Sequence, residues 1–226
     1  MSPRLRLVVF DVDGTLVDSQ NIIMAVMARA FGDLGVELPS RDRVLSIVGL
    51  SLEEAFAALA PGLDDRRRAR AVAAYRRASS ELMQTASHAM VPPLFPGARA
   101  ALAALHGQAE TLLGIATGKG RPGLDHVTAA HGIDRYFVTR QTADGHPSKP
   151  HPSMLQAALS ETGVDTPCAV MVGDTSFDMQ MGRAAGFRTI GVTWGYHGAE
   201  RLVAAGADLV IGDFSELVPA VEELWT

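Results

Sequence analysis

Leu7-Val8-Val9-Phe10-Asp11-Val12-Asp13-Gly14-Thr15 is an apolar run of strand length that ends abruptly in two carboxylates one residue apart, followed by Gly-Thr. Val and Phe suit a buried strand, and Gly permits the sharp turn that must follow. In a parallel α/β sheet, ligands bind in the crevice beyond the carboxyl ends of the strands. Two acids there make poor packing, because desolvating each without a partner is costly. A divalent cation is the natural partner, and an Asp beside a cation can attack phosphorus. Taken alone, the same residues also fit a turn whose Asp side chains cap a helix.

Other stretches supply parts that an isolated turn does not need. Thr111-Leu112-Leu113-Gly114-Ile115-Ala116 is a second strand-like run, ending in Thr117-Gly118-Lys119. Cys168-Ala169-Val170-Met171-Val172 is a third, ending in Gly173-Asp174-Thr175-Ser176-Phe177-Asp178. Between them, Ser148-Lys149-Pro150-His151-Pro152 sets a lysine just before a helix started by proline, whose missing N–H costs nothing at the first helical position. Two strand ends thus carry paired acids, and one carries a hydroxyl with free backbone N–H groups. With a lysine at a helix start, these are the parts for phosphoryl transfer.

In order and approximate spacing, D-x-D-G-T, I-A-T-G-K, S-K-P-H-P and V-G-D-x-x-x-D resemble the motifs of the haloacid dehalogenase-like (HAD) superfamily. The resemblance covers essentially the whole chain and is nearest to phosphoglycolate phosphatase-like members with a helical cap. It implies an α/β fold, a doubly wound Rossmann-like parallel sheet with an inserted all-helical cap domain. The pattern of the chain divides the same way, with residues 1–17 and 92–226 as catalytic core and 18–91 as cap. Within the cap stretch, Asn21 to Leu34 has helical spacing. Ser51-Leu52-Glu53-Glu54 reads as a capping box, and Asp64 to about Met90 is rich in helix formers. Val91-Pro92-Pro93-Leu94-Phe95-Pro96-Gly97 breaks the pattern, giving hinges near Val17 to Gln20 and Val91 to Pro96.

Beyond it, strand and helix signals alternate. Helices are expected over Ala98 to Leu105, Arg121 to His131, Ser153 to Thr162, Phe177 to Ala185 and Ser215 to Leu224. Further strands are expected over Tyr136 to Thr139, Arg188 to Val192 and Asp208 to Ile211.

The expected chemistry is hydrolysis of a small phosphomonoester, phosphoglycolate-like, through an aspartyl-phosphate. Asp11 is the nucleophile, and it needs a metal to hold it and to neutralise the phosphate. Asp13, two residues along, points the same way and serves as general acid and then general base. The resemblance also implies its backbone carbonyl as a metal ligand. Asp174 supplies a further carboxylate for Mg²⁺, which prefers oxygen ligands. Asp178 stands behind it, orienting metal-bound water or Lys149. The Thr117 hydroxyl, the unobstructed Gly118 N–H and the Lys149 ammonium bind the phosphate. Lys119 and Arg121 face either the site or solvent. Trp194, in Trp194-Gly195-Tyr196-His197, either packs or lies at the crevice rim, and His146 and His151 read as loop residues.

A haloacid dehalogenase has no leaving oxygen to protonate, so Asp13 argues against that activity. A phosphomutase of the β-phosphoglucomutase type shares the four motifs, and Thr15 with T-G-K leans toward a phosphatase instead. A receiver-like phospho-acceptor domain does not need the helical insertion or Asp13. Discrimination among phosphoglycolate, a sugar phosphate and a nucleotide is expected from the cap turn Val48-Gly49-Leu50-Ser51.

The 226 residues, 47% hydrophobic, suffice for one domain and a lesser one, and the net charge of −5 offers no basic footprint for nucleic acid. Arg66-Arg67-Arg68 with Arg70 reads as a solvated helix face. No apolar stretch approaches a membrane span, and Met1 to Arg6 lacks a signal-peptide core. The single cysteine, Cys168, suits a reducing compartment. The expectation is a cytoplasmic monomer or weak dimer whose partner is a small phosphorylated metabolite.

Overall fold

The structure, a computed structural model, describes residues 4–85 and 91–225. Strand β1 (Arg6–Phe10) leads into four helices, α1 (Gln20–Asp33), α2 (Arg41–Leu45), α3 (Leu52–Leu59) and α4 (Asp65–Thr85). The chain then runs through α5 (Ala98–His106), β2 (Thr111–Thr117), α6 (Arg121–Ala130) and β3 (Phe137–Thr142). It continues with α7 (Ser153–Thr162), β4 (Ala169–Gly173), α8 (Ser176–Ala185) and β5 (Arg188–Val192). Last come α9 (Ala199–Ala204), β6 (Leu209–Ile211) and α10 (Leu217–Leu224).

The strands form one parallel sheet in the order β3-β2-β1-β4-β5-β6. The order reverses at β1, where the chain has built β2 and β3 on one side and crosses to β4 on the other. Such a switch point opens a crevice at the carboxyl ends of the strands. Helices cover both faces, so β1 must be apolar on both. Val8 and Phe10 join a core with Leu102, Leu105 and Val221, from α5 and α10, while Leu7 and Val9 join another with Met154, Leu155 and Met181, from α7 and α8. This two-residue alternation explains why the strand reads as a continuous apolar run rather than as an amphipathic one.

Helices α1 to α4 pack around a hydrophobic cluster of their own, including Met27, Phe31, Val44, Phe56 and Ala71. The two chain segments joining them to the sheet run side by side. Asp18 N–H donates to the Pro93 carbonyl at 2.9 Å, Phe95 N–H donates to the Leu16 carbonyl at 3.0 Å, and Val17 bridges Leu94. Arg66, Arg67 and Arg70 are exposed, and half-buried Arg68 pairs with Asp65 at 3.0 Å. No helix among the described residues is long and apolar enough to cross a membrane.

Several boundaries differ from expectation. Strand β3 continues to Thr142, because Arg140-Gln141-Thr142 is polar yet still pairs with Ile115 to Thr117. The final helix starts as a short 3₁₀ turn over Phe214–Glu216. The expected end of α4 near Met90 falls outside the described residues. Only half of the expected Ser51 capping box forms. The Ser51 hydroxyl accepts from Glu54 N–H at 3.4 Å, but Ser51 N–H donates at 2.8 Å to Ser148 Oγ across the crevice.

Candidate active site

Each motif delivers its residues to one end of the sheet. Asp11 follows β1 directly, its N–H held by the Val172 carbonyl of β4 at 3.0 Å. Gly14 turns the chain with φ +83°, and a Cβ there would meet Asp174 Oδ2 at 2.3 Å. Thr117 ends β2, Asp174 follows β4, and Lys149 precedes α7. Asp11, Thr117, Lys149, Asp174 and Asp178 are each at most 1% exposed, and Asp13 8%.

Asp11 Oδ1 accepts from Val12 N–H at 2.7 Å. Its Oδ2 lies 3.0 Å from Lys149 Nζ but carries no aligned hydrogen bond, so it keeps lone pairs for a further partner. Burial, offset in part by Lys149, pushes the Asp11 carboxyl up to about 7. Lys149 donates at 2.6 Å to Asp178 Oδ1. Burial works against its charge, but Asp11 and Asp178 outweigh that and raise its pKa.

Asp174 is held from two sides. Thr15 Oγ1 donates to Oδ1 at 2.7 Å, and Tyr196 N–H donates to Oδ2 at 2.9 Å. Burial, with Asp178 and Asp11 nearby, raises its pKa well above the ordinary carboxylate range. One oxygen from each of Asp11, Asp174 and Asp178 lies within 4.8 Å of the others. Asp178 already serves three donors, because Thr175 N–H at 3.0 Å and Thr175 Oγ1 at 2.6 Å both reach its Oδ2. It therefore stands behind Asp11 and Asp174 as their neighbour and as the anchor of Lys149. Thr175 and Asp178 also complete a capping box at the start of α8.

Lys119 faces the site. Its Nζ lies 3.0 Å from Asp13 Oδ2, while Asp13 Oδ1 is buried without a hydrogen-bond partner. Arg121 points away, donating to the Arg140 carbonyl at 2.7 Å. Thr117 Oγ1 accepts from Lys119 N–H at 3.2 Å, leaving its own proton to donate. A Cβ on Gly118 would meet the carbonyls of Gly49 and Leu50 at 2.5 and 2.7 Å. The turn between α2 and α3 thus lies directly over the end of β2.

Among the described residues, four buried aspartates face two ammonium groups, Lys119 and Lys149, so with all four ionised two negative charges would be uncompensated. Oxygen donors with that charge suit a hard divalent cation such as Mg²⁺. Asp11 Oδ2 and Asp13 Oδ1, which carry no aligned hydrogen bond, fit the same requirement.

The segment Trp194 to His197 matters more than its sequence suggests. Trp194 packs, with its ring 4.5 Å from Phe214 and its indole N–H donating to the Thr15 carbonyl at 3.0 Å. A Cβ on Gly195 would lie 2.2 Å from Asp174 Cβ, so only glycine allows that close approach. His197 Nδ1 accepts from Ser176 N–H at 2.8 Å, so its Nε2–H is the donor to the Ser46 carbonyl at 3.1 Å. Tyr196 Oη and Ser19 Oγ are 3.0 Å apart. These links, with Ser51 to Ser148, tie the helical insert to the sheet, and each joins residues too distant in sequence for a local motif to reveal them. His146 bonds Ser153 and Gln141 and takes no part in the site.

The chain is similar to known proteins along almost its whole length. The sequence model of the haloacid dehalogenase-like hydrolase family matches residues 8–192. The protein named "Probable phosphatase IndB" in Dickeya dadantii (strain 3937) is 38% identical, over 96% of this chain and 94% of its own length. A phosphoglycolate phosphatase of Vibrio vulnificus (strain YJ016) is 32% identical, covering 96% of each chain. Among solved structures, a haloacid dehalogenase-like family hydrolase from Streptococcus pneumoniae superimposes with a TM-score of 0.82 at 25% identity, covering 96% of this chain and 98% of that one.

Proposed function

The chain belongs to the haloacid dehalogenase-like hydrolase family, and from that premise we propose that it is a Mg²⁺-dependent phosphatase hydrolysing a small phosphomonoester through an aspartyl-phosphate on Asp11. The observation that carries this reading is the cluster of buried acids, four carboxylates against two ammonium groups among the described residues, with Asp11 Oδ2 and Asp13 Oδ1 lacking an aligned hydrogen bond. Asp11, Asp174 and the backbone carbonyl of Asp13 would hold the cation. When bound, it would neutralise the carboxylates and the phosphoryl oxygens.

The chain's own groups account for the remaining steps. Asp11 attacks phosphorus with a carboxylate oxygen as the ester oxygen departs, and Asp13 gives that oxygen its proton. Asp13 then takes a proton from the water that cleaves the acyl phosphate, restoring Asp11. Lys149 and the Thr117 hydroxyl offset the charge of the transferring group, and the Gly118 backbone approaches it closely. The helical insert caps the crevice and excludes bulk water. The proposal is completed by a small phosphorylated metabolite as partner, a monomeric or weakly dimeric state and a cytoplasmic location, with which the unpaired Cys168 thiol agrees.

Release of inorganic phosphate from 2-phosphoglycolate, sugar phosphates, nucleotides and p-nitrophenyl phosphate tests the reading. Turnover that EDTA abolishes and Mg²⁺ restores is expected. Full turnover in EDTA, with metal content shown to be nil, contradicts it.

A further inference from the structure

The crevice does not end at Asp11 and Asp13. It extends into the helical insert as a cavity of about 450 Å³, within the roughly 300–1,000 Å³ range of pockets that enclose whole small-molecule ligands. A two-carbon acid fills little of that space. Beyond the reacting end its wall is formed largely by side chains without charge, including Ile23, Met27, Ile47, Leu50, Leu52 and Met83.

The charged groups on the wall matter for what they already do. Two cations line the cavity, and both are paired, Lys119 with Asp13 at 3.0 Å and Arg76 with Glu53 at 3.2 Å. Asp144 adds a further carboxylate to the lining. Three backbone donors flanking the lining residues are committed as well. Ser51 N–H goes to Ser148, Glu54 N–H to Ser51 Oγ, and Arg121 N–H to Asp144 at 2.7 Å. A carboxylate on the leaving group would be desolvated here against apolar side chains and acids, with no unpaired cation among the described lining residues.

We infer that the leaving group of the substrate is an uncharged, largely apolar alcohol of at least ring size, and that an anionic leaving group such as glycolate is disfavoured. This rests on the phosphatase reading above. Ile23, Met27 and Ile47 supply an apolar floor, and the half-buried Leu50 and Met83 supply the walls the alcohol touches. Tyr75, Ser79 and Ser80 set hydroxyl-bearing side chains among these apolar ones.

The test is a kcat/KM profile with Mg²⁺ over four primary esters, namely hexyl phosphate, benzyl phosphate, glycerol 1-phosphate and 2-phosphoglycolate. Their leaving oxygens are similar in basicity, so rank reports recognition rather than intrinsic reactivity. Hexyl and benzyl phosphate are expected to exceed 2-phosphoglycolate by about tenfold or more, the size of effect one or two buried methylenes have on specificity. A 2-phosphoglycolate value equal to or above theirs overturns the inference while leaving the phosphatase reading intact. If no ester, nor p-nitrophenyl phosphate, releases phosphate, both fall.

Met83→Lys and Leu50→Lys each place a cation on the wall. Either, shown folded by its thermal transition, should lower kcat/KM for hexyl phosphate and raise it for 2-phosphoglycolate. Should one fail to fold, the other carries the test. An unchanged rank order in a folded variant overturns the assignment.

Discussion

The ammonium of Lys149 donates to Asp178 Oδ1 at 2.6 Å, with both side chains sealed from solvent. The same ammonium lies 3.0 Å from Asp11 Oδ2. Lys149 therefore answers two carboxylates at once, and Asp178, fixed by Thr175, holds it in place.

Removing that cation strands two buried acids. Lys149→Met is expected to lower stability by about 3–5 kcal/mol near neutral pH, the usual cost of breaking a buried pair from one side. Activity should fall at least a thousandfold. The stability loss should shrink at pH 5, where the Asp11 carboxyl, raised to about 7 by burial, is protonated. Thermal melts at the two pH values measure this, and an equal loss at both would count against it.

Proton uptake also sets the pH dependence of the metal-free protein. The Asp11 carboxyl, raised to about 7 by burial, stands above its unfolded value of roughly 3.9. A group shifted upward contributes stability that is fully present below the unfolded value and is lost as pH rises through the folded one. Asp174 shifts in the same direction. The Mg²⁺-induced rise in Tm should therefore be larger at pH 8 than at pH 5, because protons compete with the cation for the same oxygens. A larger rise at pH 5 would contradict the assignment of these carboxylates to the metal.

Much of this was legible because buried strands announce themselves. Strand β5 (Arg188–Val192) and helix α7 (Ser153–Thr162) have the expected bounds, and the chemistry-bearing residues sit where apolar runs stop. The second half of β3 is polar and gives no apolar run to mark it as strand, and α2 and α9 are too brief to show a period. Thr175-Ser176-Phe177-Asp178 carries a capping-box signal as well as chemistry, so Asp178 serves the start of α8 and the site at once. The Ser51 box went the other way, since its backbone N–H found Ser148 across the crevice. The roles of Gly195, Tyr196 and His197 depend on contacts with residues distant in sequence, which periodicity and local motifs do not encode.

Gly195 gives a way to disturb the proposed metal site without touching a proposed ligand. Its backbone passes so near Asp174 that a methyl group cannot fit. Gly195→Ala should push the carboxylate aside and raise the Mg²⁺ concentration for half-maximal activity by about tenfold, in line with losses from disturbed support of metal ligands. Titration of activity with Mg²⁺ measures this directly. An unchanged requirement would mean that Asp174 is not a ligand or that the loop yields freely.

Ser148 tests the contact between insert and sheet. Its hydroxyl accepts from Ser51 N–H at 2.8 Å, and Ser148→Ala leaves that donor without its acceptor. One neutral hydrogen bond contributes about 0.5–1.5 kcal/mol, so kcat/KM should fall roughly two- to twelvefold with the metal requirement unchanged. An unaltered kcat/KM would show that this link does not help hold the insert closed.

The central claim is that Asp11 attacks phosphorus. Asp13→Asn keeps the nucleophile and removes the acid/base, so an ester with a good leaving group should phosphorylate Asp11 while hydrolysis lags. The most direct measurement is mass spectrometry of the Asp13→Asn protein, quenched after mixing with p-nitrophenyl phosphate and Mg²⁺. A phosphoryl group on the peptide at Asp11, absent when Asp11→Asn is added, is the predicted result. Phosphate found on Asp174 instead, or Asp11→Asn alone retaining more than about a thousandth of wild-type turnover, would contradict the account.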